Sequence, residues 1–172
     1  KKTKRLKEIP LIVLFYEGPI GRAYLETLYG LGLKPQKIIQ IISSVDLVTK
    51  KAKGLFLPHA LRLMYCDFHQ KNSIHFWPKK LSKFFPNLTL KITEAIANDF
   101  GISHLSQNRS KSLLDLSEYS DEVNKVLIDD LHDDNLYKKL SQEKKSCILY
   151  TGGGIIPKRL LNITDLKFIH IH

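Results

Sequence analysis

His170 and His172 stand two residues apart at the end of a chain of 172 residues. On a strand, alternate side chains share a face, so two such imidazoles project together. That pair suits proton transfer or metal ligation. Spacing fixes no third ligand, although His59, His69, His75 and Cys66 are available elsewhere. The plain structural alternative is one hydrogen-bonded histidine in the fold and one facing solvent.

Thr151-Gly152-Gly153-Gly154 follows a short apolar run, 147–150 (CILY). Glycines there let the backbone approach a ligand and adopt positive φ. Such a turn suits main-chain recognition of a flat heterocycle or a carbonyl; a merely flexible turn would read the same. It lacks the Gly-Lys-Ser/Thr ending of a phosphate loop and the GxGxxG spacing of a dinucleotide turn. Gly18-Pro19-Ile20-Gly21 is a second glycine turn, after residues 9–16 (IPLIVLFY). A helix starting at Pro19 would offer its N-terminus to a phosphate or carboxylate, though an ordinary strand-to-helix turn is the simpler reading.

The net charge is +10, from 27 basic and 17 acidic residues. Residues 50–91 hold nine of the basic residues and one acid, Asp67. This balance favours anionic partners without choosing among them. Phe76, Trp77, Phe84 and Phe85 lie among Lys79, Lys80 and Lys83. They suit base stacking or a membrane surface, but core aromatics beside solvated lysines are the expectation. Two cysteines, Cys66 and Cys147, make no disulfide framework and predict a reducing, cytoplasmic compartment. No apolar run reaches the roughly 18–20 residues of a membrane helix, and no membrane partner is expected. The basic start before residues 9–16 is too short-cored, with Pro10 inside it, for a signal peptide.

The elements that would hold these groups alternate. Residues 9–16 read as a buried strand, 20–31 as a helix and 37–42 (KIIQII) as a second buried strand. This opening predicts a parallel βαβ unit. Residues 58–66 and 88–100 read as helices, and 102–105 as a short strand. Residues 123–131 and 136–140 read as pieces of amphipathic helix. A strand at 147–150, a short helix at 157–161 and a strand at 167–172 close the chain. The prediction is one α/β domain over residues 1–172 with a mainly parallel sheet of at least four strands. Residues 50–90 form a basic, partly helical insertion. In such sheets ligands bind at the carboxyl ends of the strands. The chain starts without Met and stops inside an apolar run, so a piece of a longer protein, incomplete at its C-terminus, is expected.

Residues 150–172 (YTGGGIIPKRLLNITDLKFIHIH) resemble the folate-dependent formyltransferases, the group acting on methionyl-tRNA, sugars and glycinamide ribonucleotide. In that family a strand leads through a turn to an Ile-Pro or Leu-Pro pair and a short helix. A second strand then ends in Asn-x-His. Ile156-Pro157 matches the pair, 160–163 the short helix and His172 the catalytic His, while His170 occupies the Asn position. The opening strand, turn, helix and strand are also similar; residues 50–90 and 105–125 are not.

The resemblance implies a Rossmann-like three-layer fold and transfer of a formyl group from 10-formyltetrahydrofolate to an amine. The acceptor would be small or nucleotide-linked, and a phosphorylated one would suit the basic balance. It assigns proton management to His172 and an oxyanion-donor role to His170. Main-chain groups of Tyr150, Thr151, Gly152, Gly153, Gly154 and Ile155 would take the pterin-like ring. Gly18 and Gly21 would face the acceptor. The family's catalytic Asp lies downstream of the His, beyond residue 172, so this stretch alone is not expected to be fully active. The rival readings are an inactive formyltransferase-fold binding module and a metal-dependent hydrolase using His170 and His172. Nucleic acid is compatible with the charge but is not the favoured partner.

Overall fold

The computed structural model describes residues 6–46, 49–76 and 113–170. The expected helix at 88–100, the strand at 102–105, most of the aromatic–lysine cluster and His172 lie outside them.

Five strands form one all-parallel sheet. They are β1 (Lys7–Tyr16), β2 (Leu33–Ser43), β3 (Val123–Ile128), β4 (Ser146–Tyr150) and β5 (Leu166–His170), in the order β3-β2-β1-β4-β5. The central strands are apolar on both faces because both are covered: Ile12, Val13, Leu14 and Phe15 are fully buried, as are Ile38, Ile39, Ile41 and Ile42. Pro10 has no N–H to give a ladder, and the β1–β2 register gains one residue on β1 between Ile9 and Ile12.

Helix α1 (Pro19–Gly30) starts with its proline in the first turn, where a missing N–H costs nothing. Gly32, at φ 78°, then turns the chain into β2. Helix α2 (His59–Lys71) follows Pro58 and continues into a π-turn, Asn72–Phe76. Helix α3 (Asp134–Ser141) is capped by Asp133, whose side chain accepts from the Asn135 N–H at 2.8 Å. Helix α4 (Lys158–Leu161) follows Pro157.

Ile12, Leu14, Ile39, Ile41 and Ile148 pack with Leu136 and Leu140 of α3 and Leu160 of α4. Val13, Phe15, Ile38 and Leu149 pack with Leu25 of α1 and with Leu116 and Tyr119. Cys66 of α2 packs on Ile42 and Leu127. The result is the three-layer, Rossmann-like α/β arrangement expected. No described helix is long and apolar enough to cross a membrane.

Two expectations need correction. Residues 123–128 are strand β3, not helix, paired with β2 from Ile38↔Val123 to Ser43↔Ile128. Val123, Val126 and Leu127 fall at i, i+3 and i+4 and so imitate a helical stripe. The open edge of β2 decides the matter by pairing. Helix α2 also runs past residue 66, to Lys71. Its inward face is polar beyond Cys66: the Gln70 side chain accepts from Ser43 N at 2.9 Å and donates to the Ile41 carbonyl at 3.3 Å. Gln40 of β2 donates to Asp67 at 3.0 Å.

Candidate functional site

The strand order reverses between β1 and β4, which is where open α/β sheets leave a crevice at their carboxyl ends. Both glycine turns sit there: Gly18–Gly21 leaves β1 and Thr151–Gly154 leaves β4. Thr151 ties them together. Its N–H donates to the Leu14 carbonyl at 3.1 Å, and its Oγ1 accepts from Tyr16 N at 3.0 Å.

The glycines differ in what they do. A Cβ on Gly21 would lie 2.8 Å from the Tyr16 carbonyl oxygen and 2.9 Å from Thr151 Oγ1. Gly21 is thus buried packing that seats α1 on the sheet end, whereas Gly18 has nothing within 4 Å of its Cβ position. In the second turn, a Cβ on Gly152 would collide with the Tyr150 phenol at 2.4 Å. Gly154 alone of the three adopts a left-handed φ, 93°. Gly153 presents bare backbone with no atom within 4 Å of its Cβ position. Ile155 is exposed, while Ile156 is buried and anchors the turn.

Tyr150 and His170 face each other across the β4–β5 ladder. The Tyr150 hydroxyl donates to the Gly153 carbonyl at 3.0 Å. His170 Nε2 lies 3.0 Å from the Gly152 carbonyl, so that nitrogen carries the proton and donates it. Burial, with Tyr16 nearby, pushes the Tyr150 hydroxyl up to about 12, and burial raises Tyr16 as well. Both phenols are therefore neutral donors at physiological pH. His170 spends Nε2–H on the turn, which holds the glycine backbone in place. Among the described residues, no three His, Cys, Asp or Glu side chains converge to hold a metal.

One group escaped the sequence reading. Glu17, the first residue past β1, is buried with Arg22 and His75. Arg22 donates twice to the carboxylate, from Nε at 2.9 Å and from its terminal nitrogen at 2.8 Å. His75 Nε2 lies 2.9 Å from Glu17 Oε1. Burial alone would raise the Glu17 carboxyl, but the hydrogen bonds and charge of His75 and Arg22 outweigh it and hold the group at about 2. Arg22 also donates to the Leu114 carbonyl and lies over the Phe15 ring at 5.5 Å from its centroid. The cluster clamps the end of β1, α1, the π-turn and the segment entering β3. A carboxylate straight after a buried apolar run was a usable signal, because it must find a cation. His75, 58 residues away, left none.

No family model, curated protein or solved structure matches this chain.

Proposed function

We propose that the crevice between β1 and β4 binds a reduced folate and transfers a formyl group from it to an amine. The observation that carries this is the register of β4 and β5. It sets the Thr151–Gly154 turn beside His170, with Gly153 exposing unobstructed main chain. A flat, hydrogen-bonding ring system suits such a surface: main-chain groups of Tyr150–Ile155 read its edge, and Tyr150 and His170 hold the turn against it.

In the reaction, the acceptor amine attacks the formyl carbon and the carbonyl electrons move to oxygen. The tetrahedral intermediate then collapses, expelling the folate N10, which takes up a proton equivalent to the one the amine loses. His172, assigned by its place in the motif, moves that proton. The oxyanion needs a donor during the step. His170 supplies it if its Nε2–H leaves the Gly152 carbonyl; otherwise it acts as a positioning residue. The open backbone of Gly18 borders the acceptor side, and Gly21 shapes that side by seating α1.

Occupation of Nε2 by the turn favours one second reading, a folate-binding module without turnover. A single-turnover assay with 10-formyltetrahydrofolate and a panel of amines separates the two. Formylated product supports transfer. Saturable folate binding without product supports the module.

A further inference from the structure

Helix α2 carries apolar residues on both sides. Its inward face holds Cys66, Asp67 and Gln70, with Leu63 packed beside Cys66, while Leu61, Met64, Tyr65 and Phe68 face outward at i, i+3, i+4 and i+7. Met64 is 68% exposed and Phe68 70%. The preceding turn extends this face. Leu57 N–H donates to the Gly54 carbonyl at 3.0 Å, which puts Leu55 and Phe56 at the tip of a β-turn. Turn tips ordinarily carry Gly, Pro, Asn, Asp or Ser. Phe56 is instead 87% exposed.

This turn is pinned rather than loose. Lys53 N–H donates to the Ser44 carbonyl at 2.7 Å, and Arg62 Nε donates to the Lys53 carbonyl at 2.9 Å. A Cβ on Gly54 would lie 3.2 Å from the Tyr65 ring, so turn and helix form one continuous surface. Its charge is one-sided. Residues 50–71 carry Lys50, Lys51, Lys53, Arg62 and Lys71 against Asp67. Asp67 faces inward, held by Gln40, by Lys125 at 2.6 Å and by Lys71 at 3.6 Å.

We propose that the Leu55–Phe56 turn and the outer face of α2 dock onto an anionic lipid bilayer. Leu55, Phe56, Met64 and Phe68 enter the acyl boundary, Tyr65 sits at headgroup level, and Lys50, Lys51 and Lys53 meet lipid phosphates and carboxylates. Exposed apolar residues flanked by lysines are the pattern of interfacial membrane binding. Protein interfaces, by contrast, are depleted in lysine. This reverses the expectation from sequence that no membrane is involved. It is independent of the formyl-transfer reading, which concerns the β1–β4 crevice.

The test is co-sedimentation of the full chain with vesicles of phosphatidylcholine alone or mixed with phosphatidylserine. Binding to the mixed vesicles, weak binding to the neutral ones, and release as salt rises are expected. Phe56→Ser with Phe68→Ser should weaken binding roughly tenfold or more. Replacing Lys50, Lys51 and Lys53 by Gln should weaken it about fivefold per charge and remove the preference for phosphatidylserine. These side chains are exposed or nearly so, and circular dichroism melts of the variants should match the parent. Folded protein that ignores the mixed vesicles overturns the proposal. So does a dimer or a protein complex that the Phe variants abolish while vesicle binding stays absent.

Discussion

The rings of Tyr150 and His170 lie 5.1 Å apart, centroid to centroid, and both side chains hydrogen-bond the same glycine turn. One holds the Gly153 carbonyl and the other the Gly152 carbonyl. A turn that composition alone would call floppy is therefore braced from two strands.

Burial of the Tyr150 phenol, with Tyr16 nearby, predicts a late tyrosine titration. The Tyr150 hydroxyl is raised from 10.0 to about 12, so folding favours its neutral form. This contribution is fully present below pH 10 and is lost as pH rises toward 12. Tyr150→Phe should cost about 1 kcal/mol, the size of one hydrogen bond, and remove the latest phase of phenolate absorbance. An unchanged titration curve in the variant would show that another tyrosine carries that phase.

The glycines of the turn should separate by mechanism. Gly154→Ala forces a side chain into left-handed backbone and should destabilise by about 1–2 kcal/mol. Gly152→Ala should displace the Tyr150 phenol and break its bond to Gly153. Thermal melts of the two variants check both. Parent-like stability in Gly154→Ala would contradict the strained geometry.

Glu17 links folding to acid pH. Its carboxyl is lowered from 4.5 to about 2, so its stabilisation is present above pH 4.5 and lost as pH falls toward 2. Glu17→Gln leaves the buried Arg22 guanidinium without its counter-charge. It should cost about 3–5 kcal/mol in urea unfolding and flatten the acid limb of the stability profile. A parent-like acid limb would mean that other carboxylates govern it.

Legibility in the sequence followed burial. The inner residues of β1, β2 and β4 are buried on both faces, and such segments write themselves as nearly continuous apolar runs, interrupted in β2 by Gln40. β3 lies at the edge with Lys125 exposed, so its apolar residues are sparse and their accidental spacing imitated a helix. α2 was misjudged in length because its inward face answers Gln40 and Ser43, polar partners that hydrophobic periodicity does not anticipate. The two glycine turns were legible one by one. That they flank the same crevice depends on the β1–β4 pairing, and that pairing spans more than a hundred residues.

His170 and His172 should respond differently to substitution in the complete protein. His172→Ala should lose roughly 10²–10⁴ in formyl-transfer rate, the usual contribution of an acid–base residue. His170→Asn should keep most of the activity, since an amide N–H replaces the imidazole N–H as a donor. Metal ligation by both residues predicts instead that each variant loses activity and bound metal together.

Folate recognition by the glycine turn is the central claim, and calorimetric titration of the complete protein with a reduced folate tests it most directly when Gly153→Val is run beside the parent. Gly153 is open and its φ lies outside the left-handed region, so the variant should fold as the parent does. The account predicts saturable binding to the parent and at least about tenfold weaker binding to the variant, because a branched side chain keeps the ligand off the backbone. A well-folded parent that binds no reduced folate, or a variant that binds it equally well, would contradict it.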